Sequence, residues 1–413
     1  MSTMNNFEKK YFTKRSVLAL LGACLYQCAF IGTLIHSNGI FMSAIREAEG
    51  VSMTMISANT SLRSVIGALS AAGLTSLFYH RDYRKIMALV VVLVVAGYLL
   101  LIVGTDNILW YLVPLLCCPV SSIGILAVPY TMRKWFPEHY GMTSGIALAF
   151  SGLGGAVFNP VSARLCEAFG WKMAIVIMSA LSIIMAAAGL YLLFGLKGMP
   201  EEGRTRKQEA RLEPGVRVPV PMKFGMVTVM VLTASVTVMV TYIAMQMQAV
   251  GFSLEVGAAV TSFVMIGNIG GKVIFGWLTD KLGIWKMSIT ASCMVAAGSA
   301  ILGLSHGSVL MMDAAGMLFG FSYYCLSIAL SRIVLTVYGT KTSSKYVGQH
   351  LAINSAVGSL MAFGAGPIFD MCGSFTPLFI GIAITCMLSA GTTAAMWFLA
   401  EKCPESAYVS AEV

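Results

Sequence analysis

Residues Phe263–Lys286 read FVMIGNIGGKVIFGWLTDKLGIWK. The stretch opens as an apolar, glycine-rich helix, carries one lysine, Lys272, and closes in a charged turn at Asp280-Lys281-Leu282-Gly283. A cation inside a long apolar helix costs from about 3 to more than about 10 kcal/mol, so such residues are rare and mark ligand or ion pathways. What Lys272 faces, and how many comparable helices surround it, decides both fold and function.

The composition answers the second question. Of 413 residues, 57% are hydrophobic and 11% charged, with a mean hydropathy of +0.81. A soluble domain carries roughly a quarter charged residues, so this chain belongs in a bilayer. The formal charge of +9 does not indicate nucleic acid, because the basic residues lie between apolar spans rather than on one polar face. Most of the ten cysteines, among them Cys24, Cys28, Cys293, Cys325 and Cys386, sit in apolar runs as small hydrophobes and form no disulfide framework. The basic N-terminus, with Lys9, Lys10, Lys14 and Arg15, superficially resembles a signal peptide. The apolar run behind it, Ser16 to about Ile45, far exceeds the roughly 7–15 residues of a signal core and is a first membrane helix.

With about 20 residues per crossing, twelve helices are expected. They fall near 16–44, 54–78, 86–104, 108–132, 141–165, 171–196, 224–249, 256–279, 286–305, 309–338, 347–369 and 375–399. The third, nearly unbroken Val, Leu and Ala, is expected on the lipid side. The fifth, with Gly141, Gly145, Gly152, Gly154 and Gly155, offers a smooth face for close helix contact. The polar, proline-containing segment 197–223 divides the chain and is expected to be a linker with a short surface helix around Glu201–Leu212. The fold class is therefore an all-α membrane protein of twelve transmembrane helices in two six-helix, pseudo-symmetric bundles. Residues 1–196 form the first bundle, 197–223 the cytoplasmic linker, 224–400 the second bundle and 401–413 a cytoplasmic tail. Lys and Arg concentrate in the N-terminus, the linker and alternate loops, and only Arg46, Arg164 and Lys172 lie on the opposite side. The positive-inside rule thus puts both termini in the cytoplasm.

Twelve helices divided by a basic central loop resemble the major facilitator superfamily. That superfamily's cytoplasmic signature, Gly-x-x-x-Asp-Arg/Lys-x-Gly-x-x-Arg/Lys, is matched by Gly276, Asp280, Lys281, Gly283 and Lys286. The resemblance implies a charged latch in which the aspartate pairs with a neighbouring helix or its basic residues. The equivalent loop after the second helix, TSLFYHRDYRK at Thr75–Lys85, departs from the pattern, with Tyr79 at the aspartate position and Asp82 at the glycine position. Lys134-Trp135-Phe136-Pro137 with Tyr140-Gly141, Ser151-Gly152-Leu153-Gly154, Pro160, Gly170-Trp171 and Asn38-Gly39-Ile40-Phe41 resemble the oxalate:formate antiporter and monocarboxylate transporter branch.

Three cations lie inside predicted helices: Arg63, Lys272 and Arg332. No acid lies near the middle of any helix; Asp313 stands at the outer start of the tenth and Asp370 ends the eleventh. Buried cations without matching acids should attract an anion, whose charge offsets their desolvation. Each has a structural alternative. Arg332 can snorkel or pair with Asp280, Lys272 can bond carbonyls of a neighbouring helix, and Arg63 can make an interhelical bond. The resemblance implies that Lys272 occupies the position of an arginine that faces a carboxylate substrate, although lysine lacks the planar two-point fork. Proton-coupled members of the branch carry an aspartate one turn earlier, where this chain has Asn268. Oxalate:formate antiporters carry a second cation in the eleventh helix, where GQHLAINSAVGSLMAF has only His350 and Asn354. Tyr26, Gln27, Tyr242, Gln246, Tyr323 and Tyr324 could add hydrogen bonds to a carboxylate, or could bond between helices.

The expected function is secondary transport of a small organic anion, a mono- or dicarboxylate, by alternating access, as exchange or facilitated diffusion rather than proton symport. The alternatives are a proton-coupled exporter of drugs or other hydrophobic compounds and a non-transporting membrane sensor on the same fold. The sequence shows no P-loop and no metal-ligand spacing, so no enzyme activity, cofactor or metal is expected. The expected setting is the cytoplasmic (inner) membrane, with lipid and the anion as partners, no nucleic acid, and a functional monomer.

Overall fold

A computed structural model describes residues 13–80, 83–104, 106–116, 128, 131–132, 134–136, 140–195, 220–234, 236–304 and 307–402. Linker residues 197–219 with the expected short helix, nearly all of the C-terminal tail, most of the fourth expected helix, and Arg81, Asp82 and Arg133 lie outside the described residues, while 220–223 already belong to a helix. The described chain is helical, without strands among the described residues. Eight segments of it are long and apolar enough to cross a membrane.

The chain divides into two compact units, Met1–Ser52 with Leu62–Gly203, and Met53–Ser61 with Arg204–Val413. In the first unit, α1 (Lys14–Gln27) runs into a π-helical segment, Cys28–Ile35, and resumes after His36-Ser37 as α2 (Asn38–Glu49). The first expected helix is therefore longer than 16–44 and interrupted. The Ser182 hydroxyl donates to the Ala29 carbonyl at 2.6 Å, satisfying a backbone oxygen at the widened turn. Gly50, at φ 64°, closes α2 in a left-handed cap. Residues α3 (Met53–His80) and α4 (Tyr83–Leu100) match the second and third expectations.

The lipid-side expectation for α4 needs correction. Leu89, Val92 and Leu99 are exposed, but Met87, Val90, Val94 and Tyr98 are buried. The Tyr98 hydroxyl donates to the Leu34 carbonyl at 2.8 Å. Uniform apolarity gives no periodic signal, so it conceals which face packs on protein.

The fifth and sixth expected helices, together α5 (Tyr140–Leu190), are separated at Gly170, whose non-helical φ 76° and ψ 159° divide 140–169 from 171–190. That backbone conformation requires glycine. The smooth glycine face is present: a Cβ on Gly154 would lie 2.9 Å from the Gly32 Cα, and one on Gly22 would lie 2.7 Å from the Gly189 carbonyl oxygen. Backbones meet there directly, the usual way helices associate without a hydrophobic drive between them.

In the second unit, α6 (Val220–Ala234), a 3₁₀ stretch Thr237–Tyr242 and α7 (Ile243–Ala249) cover the seventh expected helix. The eighth is α8 (Leu254–Gly270), a π segment Gly271–Phe275 and α9 (Gly276–Leu282). Next come α10 (Ile284–Leu304), α11 (Val309–Gly320), a short turn Ser322–Tyr324 and a π segment Cys325–Ala329. They are followed by α12 (Leu330–Cys372) and α13 (Thr376–Lys402). The break expected between the tenth and eleventh helices near Tyr338-Gly339 is absent. Helix α12 is 43 residues long, and a lone glycine inside a helical run weakens it without ending it.

Helices α8 and α11 are held at backbone distance. A Cβ on Gly267 would sit 2.1 Å from the Met317 oxygen, and one on Gly320 would sit 2.2 Å from the Val264 oxygen. This contact brings Lys272 to the tyrosine pair that follows α11.

Candidate functional site

Lys272 lies in the π segment that links α8 to α9. A π turn holds one more residue than an α turn of the same rise and is common where a side chain must leave the regular register. Gly271 beside it packs against the Tyr324 Cβ, 3.2 Å from where its own Cβ would be, so the helix carrying Lys272 lies flush on the Tyr323-Tyr324 turn. The Lys272 ammonium stands 5.6 Å from the centroid of the Tyr323 ring. A ring face attracts a cation through its quadrupole but does not neutralise it. Among the described residues Lys272 has no carboxylate partner.

One turn earlier, Asn268 is 1% exposed. Its amide nitrogen finds only the Met265 sulfur, at 4.0 Å, and its oxygen has no partner. The side-chain oxygen of Asn354 on α12 is also buried without a partner. Buried amide groups without partners cost free energy; the two oxygens call for a donor, and the Asn268 nitrogen, bonded only to a sulfur, is free to donate to an acceptor. His350 is on α12, and its side chain lies outside the described set.

The remaining expected site residues have structural engagements. Tyr324 is fully buried, and its hydroxyl pairs with the Thr279 hydroxyl, not with open space. Tyr242 is fully buried, donates to the Ala362 carbonyl at 3.2 Å and packs on Phe375 at 4.9 Å. Gln246 uses both ends of its amide: the nitrogen donates to Thr376 Oγ1 at 3.2 Å, and the oxygen accepts from the Phe375 N–H at 2.7 Å. Those two bonds close the turn between α12 and α13. In the first unit, Tyr26 donates to the Met87 carbonyl at 3.1 Å, and Gln27 beside it is fully buried. Arg63 donates to the Asn38 oxygen, which also lies 3.1 Å from the Tyr98 hydroxyl, and its guanidinium lies 6.0 Å from the Tyr98 ring centroid. Arg63, Asn38 and Tyr98 thus form one polar knot among α2, α3 and α4.

The latch residues cluster at the α9 end. Asp280 pairs with Arg332 of α12, both partly exposed. Arg332 therefore sits with the latch and not beside Lys272. Gly276 begins α9; Gly283 has φ 88°, a turn open to glycine alone, and sends the chain into α10. Lys281 covers the Trp277 ring at 3.9 Å, and Lys286 lies 5.8 Å from the Trp397 ring.

Three partnerships escaped the sequence reading: Asn38 with Arg63, Thr279 with Tyr324, and Thr54 with Asp370. In the last, Asp370 accepts from the Thr54 N–H at 3.1 Å and from its hydroxyl, capping the start of α3 from α12. Each joins residues far apart in sequence. The available signal was the presence of single polar residues in otherwise apolar runs.

The family model of the Major Facilitator Superfamily matches residues 19–349. The MFS-type transporter YhjX of Escherichia coli (strain K12) is 24% identical over 361 residues, covering 85% of each chain. Monocarboxylate transporter 13 of Rattus norvegicus is 21% identical over 271 residues, covering 63% of this chain and 62% of its own. The crystal structure of the nucleoside transporter NupG shares the fold, with a TM-score of 0.66 at 12% identity, covering 95% of this chain and 100% of that one.

Proposed function

The chain belongs to the Major Facilitator Superfamily, and from that premise we propose that it carries small carboxylate anions across the cytoplasmic membrane by alternating access. The observation that carries the reading is Lys272, a cation within an apolar helix that has an aromatic face and, among the described residues, no acid beside it. A carboxylate at the ammonium would supply the missing countercharge and offset the cost of burying it. The Asn268 amide nitrogen, held only by the Met265 sulfur at 4.0 Å, can donate to a carboxylate oxygen, and Tyr323 walls one side. The likeness to a monocarboxylate transporter supports the substrate class.

Exchange or facilitated diffusion is favoured over proton symport, because asparagine at 268 neither takes up nor releases a proton. The architecture we infer is twelve crossings in two bundles with both termini cytoplasmic. The eight apolar spans include Met142–Phe194, which is long enough for two crossings. Helix α3, the fourth helix expected from the sequence at 108–132, and the run from Val309 into α12 would make up the rest. We take the protein to act as a monomer.

The test is counterflow of pyruvate and oxalate in liposomes containing the purified protein. Lys272→Ala should lower the rate at least about tenfold, and Lys272→Glu should abolish it by repelling the anion. Unaltered rates in correctly inserted variants would refute the assignment. Dye efflux that persists when Arg63, Lys272 and Arg332 are all neutralised would favour the exporter reading.

A further inference from the structure

We propose that Tyr324 is a positioning residue that couples the Lys272 segment to the Asp280–Arg332 latch; the coupling rests on the reading of Lys272 as the anion contact. Tyr324 touches both ends of the element it would couple. Its Cβ lies against Gly271, the residue before Lys272, at 3.2 Å from the position of a Cβ there. Its ring meets Phe275, the last residue of the same π segment, at 5.3 Å. Its hydroxyl pairs with Thr279, the residue before Asp280.

The direction of these bonds can be worked out. The Thr279 hydroxyl donates to the Phe275 carbonyl at 2.6 Å. Its one proton is then committed, so the Tyr324 hydroxyl donates to Thr279. The chain of bonds runs Tyr324 to Thr279 to Phe275, and it ends on the carbonyl that closes the π segment bearing Lys272. A π turn is less favourable than an α turn and persists where outside contacts hold it. Here the Thr279 bond to Phe275, oriented by the Tyr324 hydroxyl, and the packing of Tyr324 on Gly271 and Phe275 supply that support.

The next residue along the helix is Asp280, held by Arg332. Tyr323, adjacent to Tyr324, presents its ring to the Lys272 ammonium. The tyrosine pair therefore has one member at the charge and the other at the latch, and neither can shift without disturbing its neighbour's contact. An anion that draws Lys272 off the Tyr323 ring would alter the π segment, and through Thr279 the setting of Asp280. Tyr324 itself is fully buried and engaged, so it acts through these groups without touching the substrate.

Two measurements on the full-length protein decide the matter. The first uses no ligand: hydrogen–deuterium exchange across Gly271–Leu282 in the purified protein. Tyr324→Phe and Thr279→Val should each speed exchange there about tenfold, as expected for losing one buried hydrogen bond. Thr279→Ser, which keeps the hydroxyl, should stay near the parent rate. Unchanged exchange in Tyr324→Phe would overturn the proposal.

The second is counterflow of pyruvate and oxalate in liposomes. Tyr324→Phe should lower Vmax about tenfold and leave KM within about twofold, because the anion contact is retained while its coupling is lost. An unchanged Vmax, or a raised KM at unchanged Vmax, would overturn the coupling. Failure of the Lys272 reading has a different signature: normal flux in Lys272→Ala alongside the expected exchange result for Tyr324→Phe.

Discussion

Gly320→Ala offers a direct test of how α8 and α11 are held together. A Cβ at Gly320 would sit 2.2 Å from the Val264 oxygen, 2.8 Å from the Gly267 Cα and 3.0 Å from the Asn268 nitrogen. A relaxed carbon–oxygen contact is about 3.3 Å, so the first distance is short by about 1 Å. All three obstructing atoms are backbone, which cannot rotate away, and the helices must part. Overpacking of this kind costs about 1–3 kcal/mol, and the backbone setting argues for the upper end. Alanine's advantage over glycine in a helix returns at most about 1 kcal/mol. The net expectation is a loss of about 2 kcal/mol. Gly381, in α13, has nothing within 4 Å of its would-be Cβ, so Gly381→Ala should be neutral or stabilising by up to about 1 kcal/mol. Thermal unfolding of the two variants in detergent provides the comparison. Carboxylate flux should also fall in Gly320→Ala, because the displaced backbone at Asn268 is one turn from Lys272. A Gly320→Ala protein that melts with the parent would show that the close approach is not what holds these helices.

Two further outcomes are expected. Asn268→Asp places an acid one turn before Lys272; it should raise the KM for pyruvate about tenfold by competing for the ammonium, and flux measured across pH should become proton-dependent where the parent's is not. Asp370→Ala removes the acceptor for the Thr54 N–H and hydroxyl; amide exchange at Thr54–Ser57 should accelerate about threefold to fivefold, while α10 exchange stays unchanged.

The helical character was legible because runs of about 20 apolar residues have no other stable form in a bilayer. The charged motif after the eighth expected helix was legible because its residues lie close together in sequence, and its Asp280 pairs with Arg332 of α12. What stayed hidden were features created by contact across the fold. The two faces of α4 cannot be told apart in a run of Val and Leu. At the interruption in the first helix the Ala29 carbonyl accepts from Ser182, 153 residues away. The uninterrupted α12 replaced the loop expected between 338 and 347, a polar stretch with Lys341 and Lys345. Among the site residues, Lys272 stood out by charge alone, and its partner Tyr323 did so only as one tyrosine of several. Gln246 and Tyr242 looked like ligand groups, yet they close a turn and brace a neighbouring helix. A polar side chain in an apolar run signals that a bond exists, but its sequence carries no address for the other end.

The π segment Gly271–Phe275 also has a meaning in terms of insertions and deletions. A π turn is equivalent to an α-helix with one residue added, so removing one residue between Lys272 and Gly276 would restore a regular helix. Each residue of an α-helix turns the chain by about 100°. Such a deletion would leave every charged group in place by composition, yet rotate Lys272 by about that angle relative to Asp280. Related chains that differ by a single-residue gap at this point would carry the same lysine and the same latch aimed in different directions, and an alignment scored on residue identity alone would miss the change.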